Sequence, residues 1–188
     1  VLCRTNGGVI GEVISMFDVA PGRRIAIGGK NRAQELRRMA EAAKQLQEKH
    51  FTYHPDFETF KSWSEVVEYC AEDDGADIKP MVDLIERHSA DFLINAIDRC
   101  VDVSQAETVI STAHTAKGLE WYHVRISDDF RPPRKTEDGE AGPMLPSDAM
   151  LAYVASTRAQ RHLDNSGFDW LPEWKRERAI AQRSARTL

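Results

Sequence analysis

Long apolar runs, paired cysteines, clustered histidines and a phosphate-binding loop are all missing from this chain, and each absence removes a class of function. No stretch approaches the roughly 18 apolar residues a membrane-crossing helix needs, and the start carries no signal-peptide pattern. The three cysteines, Cys3, Cys70 and Cys100, are odd in number and far apart. That excludes a disulfide scaffold or zinc module and points to structural thiols in a reducing compartment. Cys70 and Cys100 fall on the apolar stripes of expected helices, where a thiol behaves as a small hydrophobe. His50 and His54 are four apart, but Pro55 breaks any shared helical face, so no metal is expected. There is no G-x-x-x-x-G-K-[ST] loop and no Asp-Glu magnesium-binding strand. The chain therefore lacks the usual means of cradling a polyphosphate by itself.

What is present suits a folded protein. The 188 residues are 41% apolar and 29% charged, with a net charge of −5. That length fits one domain, or one and a half, and the apolar fraction is enough to bury a core. Mild acidity does not exclude nucleic acid, because only the contacting face must be basic. The opening "VLCRTN" reads as a strand beginning at residue 1, with no lead-in and no initiating methionine, as expected of a piece of a longer protein.

Residues 1–29 read strand, helix, strand, with a helix over about 8–17 and a strand at 24–27 closed by Gly28-Gly29. Residues 31–100 read as helices throughout. The first, over about 32–49, carries Leu36, Met39, Ala40, Ala43 and Leu46 at three/four spacing. Others follow at Trp63–Cys70, ended by "EDDGAD", at Met81–His88 with Pro80 in the first turn, and at Leu93–Cys100. His88 reads as a core or helix-end residue. From Ala106 strands return at about 107–112 and 122–127. A long proline-rich loop (Asp128–Ser147) leads to a helix from a Ser147 cap to about Gln160, a strand at 161–164 and a basic tail. The expected architecture is α/β, a mostly parallel sheet with an inserted helical block.

Two stretches carry charge where charge is costly or conspicuous. In "DAMLAYVASTRAQRHL", Arg158 continues the stripe of Leu151, Val154 and Ala155. A guanidinium cannot be left bare against a core. It is therefore either in a structural ion pair or aimed into a cleft that takes an anion. In "STAHTAKGLEWYHVRIS", His114, Thr115, Lys117, Gly118 and Glu120 cluster at the end of a strand, where open parallel sheets bind ligands. A cation, a glycine and a carboxylate there could serve a phosphate and a ribose, or merely cap a helix.

"TAHTAKGLEW" followed by "MLAYVASTRAQRHL" resembles motifs V and VI of the UvrD/Rep family of superfamily 1 DNA helicases. "VLCRTN" resembles that family's YRTN-like motif, and "RRIAIGGK" the strand and Gly-Gly turn after it. All four stand in the family's order. The resemblance implies a partial second RecA-like domain in two parts, residues 1–30 and 106–165. Residues 31–105 would be a helical insertion, the remnant of an accessory subdomain, and 166–188 a basic tail. It implies that Arg158 reaches the γ-phosphate of ATP across a cleft, as arginine fingers do. Glu120 would bind the ribose, with Lys117 and Gly118 shaping the turn. Arg4, Thr5, Asn6, Thr112 and His114 would face single-stranded DNA without reading sequence.

The same resemblance implies a partner, the N-terminal RecA-like domain of the same protein, supplying the phosphate loop and the Mg²⁺ that accompanies ATP. The chain alone should be inactive. Its site of action would be the bacterial cytoplasm or nucleoid, or a eukaryotic nucleus. Two departures stand out: "LPSDAM" replaces a stretch usually rich in glutamate and arginine, and Ser156 replaces an aliphatic or aromatic residue. The competing readings are a degenerate helicase-like domain that only binds DNA or protein, and an interaction module built on the helices of 31–100.

Overall fold

The structure is a computed structural model that describes residues 1–72, 75 and 78–184. Part of the expected helix-ending stretch "EDDGAD" and the last four residues of the tail lie outside the described residues.

Five strands run parallel. β1 (Leu2–Cys3), β2 (Ile25–Ile27) and β3 (Thr108–Thr112) form one ladder in the order β1-β3-β2. β4 (Trp121–Arg125) and β5 (Ala159–Asp164) form a second. A parallel bridge between Leu2 and Ile126 joins the two, and Ser127 N donates to Leu2 O at 2.9 Å. The spatial order is therefore β2-β3-β1-β4-β5. Leu2, Cys3, Ile25, Ala26, Ile27 and Ile110 are all buried, as parallel strands covered on their faces require.

α1 (Asn6–Val19) connects β1 to β2. Val9, Ile10, Val13, Ile14 and Phe17 are buried on it, one broad apolar face at helical spacing. It packs on β1 and β3 and on two of the four helices that follow, α2 (Arg32–Lys49), α3 (Trp63–Tyr69), α4 (Lys79–His88) and α5 (Ala90–Asp98), its partners being α4 and α5. Consequently the helical block is not walled off. Leu36, Leu46, Ile85 and Leu93 share one continuous core with Ile10, Val13, Ile25 and Ile110. A second core lies under β4 and β5, where Leu2, Ala116, Val124, Ile126 and Phe168 meet Ala155 of α6 (Pro146–Ser156). The chain closes with α7 (Leu171–Ser184).

α6 departs from the sequence expectation at both ends. Pro146 sits in its first turn and Leu145 caps it with no side-chain bond, so Ser147 is not the cap. It stops at Ser156 rather than near Gln160, which lies in β5. Two hydroxyls turn back onto helix carbonyls at this end, a contact that weakens a helix. Ser156 Oγ donates to Ala152 O at 2.8 Å, and Thr157 Oγ1 to Tyr153 O at 3.0 Å. Of the expected buried stripe only Ala155 is fully covered.

Candidate functional site

Parallel pairing places the strands' carboxyl ends on one edge. Cys3 stands opposite Thr112, and Ala113 N donates to Cys3 O at 2.8 Å. The loops carrying Arg4–Asn6 and Thr112–His114 therefore leave adjacent strands at the same edge. The loop after β2 joins them there: a side chain at Gly29 would meet Thr115 Cγ2 at 2.7 Å.

The Arg4–Asn6 loop is held from below by acids. Asp129, just after β4, accepts Arg4 N at 2.8 Å, Thr5 N at 2.8 Å and Thr5 Oγ1 at 3.0 Å. Burial pushes the Asp129 carboxyl above its ordinary value, with the hydrogen bonds from Arg4 and Thr5 pulling the other way. Thr5 caps α1, its Oγ1 accepting Gly8 N at 2.9 Å. A Cβ at Gly8 would fall 2.0 Å from Asp129 Oδ2, so the missing side chain is what lets the carboxylate close on the helix start. The Arg4 guanidinium pairs with Asp148 in the first turn of α6 at 2.7 Å. Asn6 Oδ1 accepts Arg32 Nη2 at 2.9 Å.

The turn between β3 and β4 is held differently. Thr112 is buried, and its Oγ1 donates to Thr115 Oγ1 at 3.0 Å while accepting Thr115 N at 3.3 Å. Lys117, Gly118 and Glu120 are exposed beyond it, with His114. Gly118 takes φ +83° with nothing within 4 Å of its absent side chain, so left-handed backbone rather than space calls for glycine there. The β4–β5 ladder then brings in Arg158: Trp121 pairs with Ala159, and Trp121 N donates to Arg158 O at 3.0 Å.

The half-buried guanidinium of Arg158 donates to three oxygens that carry no formal charge. These are Val154 O at 3.0 Å, Leu119 O at 3.3 Å and Thr157 Oγ1 at 2.8 Å. Among the described residues no carboxylate pairs with it, so of the two alternatives the structural ion pair is absent. Glu120 lies next to Leu119 and instead accepts Gln160 Nε2 at 3.0 Å. Arg158 is thus tied to the turn through a carbonyl, not through the acid.

Arg4, Thr5, Asn6, Thr112 and His114 lie at this carboxyl edge, whereas the turn carrying Lys117, Gly118 and Glu120 crosses to the amino ends of β4 and β5, where Arg158 stands. Thr5 and Thr112, however, use their hydroxyls internally, and Arg4 is paired. Sequence reading missed Asp129, Asp148 and Arg32 as partners of the loop. Only Asp148 carried a signal, as part of the atypical "LPSDAM". Beside the Arg4–Asp148 pair opens a cleft of about 310 Å³, walled by Phe130, Tyr153, Phe168, Trp170 and Trp174. Among the described residues no three His, Cys, Asp or Glu side chains stand close enough to hold a metal ion.

Comparison with known proteins decides the kinship. The family model of the UvrD-like helicase C-terminal domain matches residues 24–166, most of the chain. The chain belongs to the UvrD-like helicase C-terminal domain family. Both the motif-bearing turn and the arginine lie inside the matched span. The chain is also 27% identical over 177 residues to F-box DNA helicase protein 1 of Schizosaccharomyces pombe. That match covers 87% of this chain and 20% of the relative, so the chain spans about a fifth of its relative's length. No solved structure matches. No helix among the described residues is long and apolar enough to cross a membrane.

Proposed function

We propose that this chain is the C-terminal helicase portion of an ATP-dependent DNA helicase or translocase, contributing one wall of the nucleotide cleft and part of a single-stranded DNA track. Residues 1–30 and 106–165 would be two parts of its second RecA-like domain, 31–105 a helical insertion and 166–188 a basic tail. The carrying observation is the β4–β5 ladder, which sets Arg158 beside the Lys117–Glu120 turn with its guanidinium held by neutral oxygens alone. A cation so held keeps its charge available for an anion. Arg158 would neutralise charge building on the transferred phosphoryl group, and Glu120 would hold the ribose hydroxyls.

At the opposite, carboxyl edge, Arg4 and His114 and the aromatic cleft beside Arg4 suit an unpaired strand. Phosphates meet the cations and bases stack on rings without sequence reading. The phosphate loop and the Mg²⁺ accompanying ATP belong to a preceding RecA-like domain of the same protein. On this reading it acts on DNA in a nucleoid, cytoplasm or nucleus, and the 188-residue chain alone turns over no ATP. The test is ATP turnover by the complete enzyme with and without oligo(dT), beside the isolated chain. Stimulated turnover only in the complete enzyme is expected. Robust turnover by the isolated chain, or none stimulated in the complete enzyme, refutes the reading.

A further inference from the structure

The Arg4–Asp148 pair joins two parts of the surface that the chain keeps 144 residues apart. Arg4 Nε and Nη2 both donate to the same Asp148 oxygen, at 3.2 and 2.7 Å. A guanidinium has five N–H donors, so this geometry fixes its plane and leaves the remaining donors for an anion. Arg4 can therefore hold Asp148 and a phosphate together. Its backbone is already fixed, since Asp129 accepts the N–H of both Arg4 and Thr5.

Asp148 stands in the first turn of α6, and the helix runs to Ser156. At about 1.5 Å per residue, that is roughly 12 Å of rigid helix. Arg158 is fastened to its far end, with Nε on Val154 O at 3.0 Å and Nη2 on Thr157 Oγ1 at 2.8 Å. One helix thus carries the carboxylate that orients Arg4 at its start and the nucleotide-facing arginine at its end.

We propose that Asp148 is a positioning residue that makes the Arg4 loop, α6 and Arg158 one mechanical unit, so that DNA engaged at Arg4 is transmitted to the nucleotide cleft. Asp148 touches neither ligand. This inference rests on the helicase reading above. Its signature is a loss of communication rather than of chemistry.

The experiment compares wild type, Asp148→Asn and Asp148→Glu in the complete enzyme. Three quantities are read: ATP turnover without DNA, turnover with saturating oligo(dT), and oligo(dT) affinity by fluorescence anisotropy. Asp148→Asn keeps the shape and removes the charge. It should leave turnover without DNA within about twofold and cut the stimulation ratio roughly tenfold, a coupling effect of ordinary size. Asp148→Glu, which restores the carboxylate, should recover most of the ratio. An unchanged ratio in Asp148→Asn overturns the proposal. So does a parallel fall of both turnovers with a lowered melting temperature, which marks a merely structural role. A wild-type enzyme without DNA-stimulated turnover fails the helicase reading itself, and the inference with it.

Discussion

Two connections on this sheet, one at the carboxyl ends of β1 and β3 and one leading into the amino ends of β4 and β5, are secured by opposite means. The Arg4–Asn6 loop is fastened by carboxylates: Asp129 on its backbone and Asp148 on its guanidinium. The Lys117–Glu120 turn and Arg158 are fastened by carbonyls and a hydroxyl, with no acid on the arginine among the described residues. The first arrangement supplies order and compensates charge. The second supplies order and leaves the charge in place. A surface meant to hold a long polyanion benefits from a preformed, moderated contact. A group meant to meet developing negative charge works best without a competing carboxylate, since such preorganised charge costs no rearrangement at the moment of reaction.

If that contrast is right, substitutions on the first loop should register mainly in folding. Gly8→Ala should have the largest effect on stability. Its Cβ would collide with Asp129 at 2.0 Å, and a loss of about 1–3 kcal/mol is expected from overpacking. Urea unfolding measures it, and a neutral result would show that the clamp can open freely. Thr5→Ala follows. It removes the α1 cap and one bond to Asp129, at a cost of about 1–2 kcal/mol in the same assay.

Substitutions on the turn should register in nucleotide use instead. Glu120→Gln lies on an exposed residue and should change stability by less than about 0.5 kcal/mol. In the complete enzyme it should raise the KM for ATP by roughly tenfold, the worth of one charge-assisted hydrogen bond. An unfolding change as large as that of Thr5→Ala would erase the distinction between the two loops.

The smallest expected effect concerns pH. Burial pushes the Cys100 thiol up to about 11, and burial raises Cys3 further. A thiol whose value is raised by folding binds its proton more tightly in the folded state. Its contribution is fully present below the ordinary thiol value of about 8.5 and is lost as pH climbs toward the folded value. Melting temperature should therefore fall between pH 8.5 and 11, and Cys3→Ala should flatten part of that fall. No change in slope would count against a buried neutral thiol beneath the Arg4 loop.

How legible all this was depended on the kind of signal. α2 was readable to the residue because its apolar positions repeat at helical spacing over 18 residues. β2 was readable from its isoleucines between Pro21-Gly22 and Gly28-Gly29, and β3 from its β-branched run. The end of α6 was not, because Ser156 and Thr157 extend the helical pattern in sequence although the strand β5 begins at Ala159. That short stop is why Arg158 lies in a connection and not on a helical stripe. Asp129 left no trace in sequence, since its partners are backbone N–H groups more than 120 residues away. The companionship of Arg158 with the turn was visible only through motif resemblance. The ladder that produces it depends on a pairing across 38 positions, Trp121 with Ala159.

The most direct test of the contrast is Arg158→Ala in the complete enzyme, with ATP turnover and melting temperature measured on the same preparation. The guanidinium is half-exposed and held by neutral oxygens, so the fold should lose little. Turnover should fall by roughly 10³-fold or more, the scale of an arginine finger. A protein that melts far earlier yet keeps near-normal turnover per folded molecule would contradict the account and make Arg158 a structural residue.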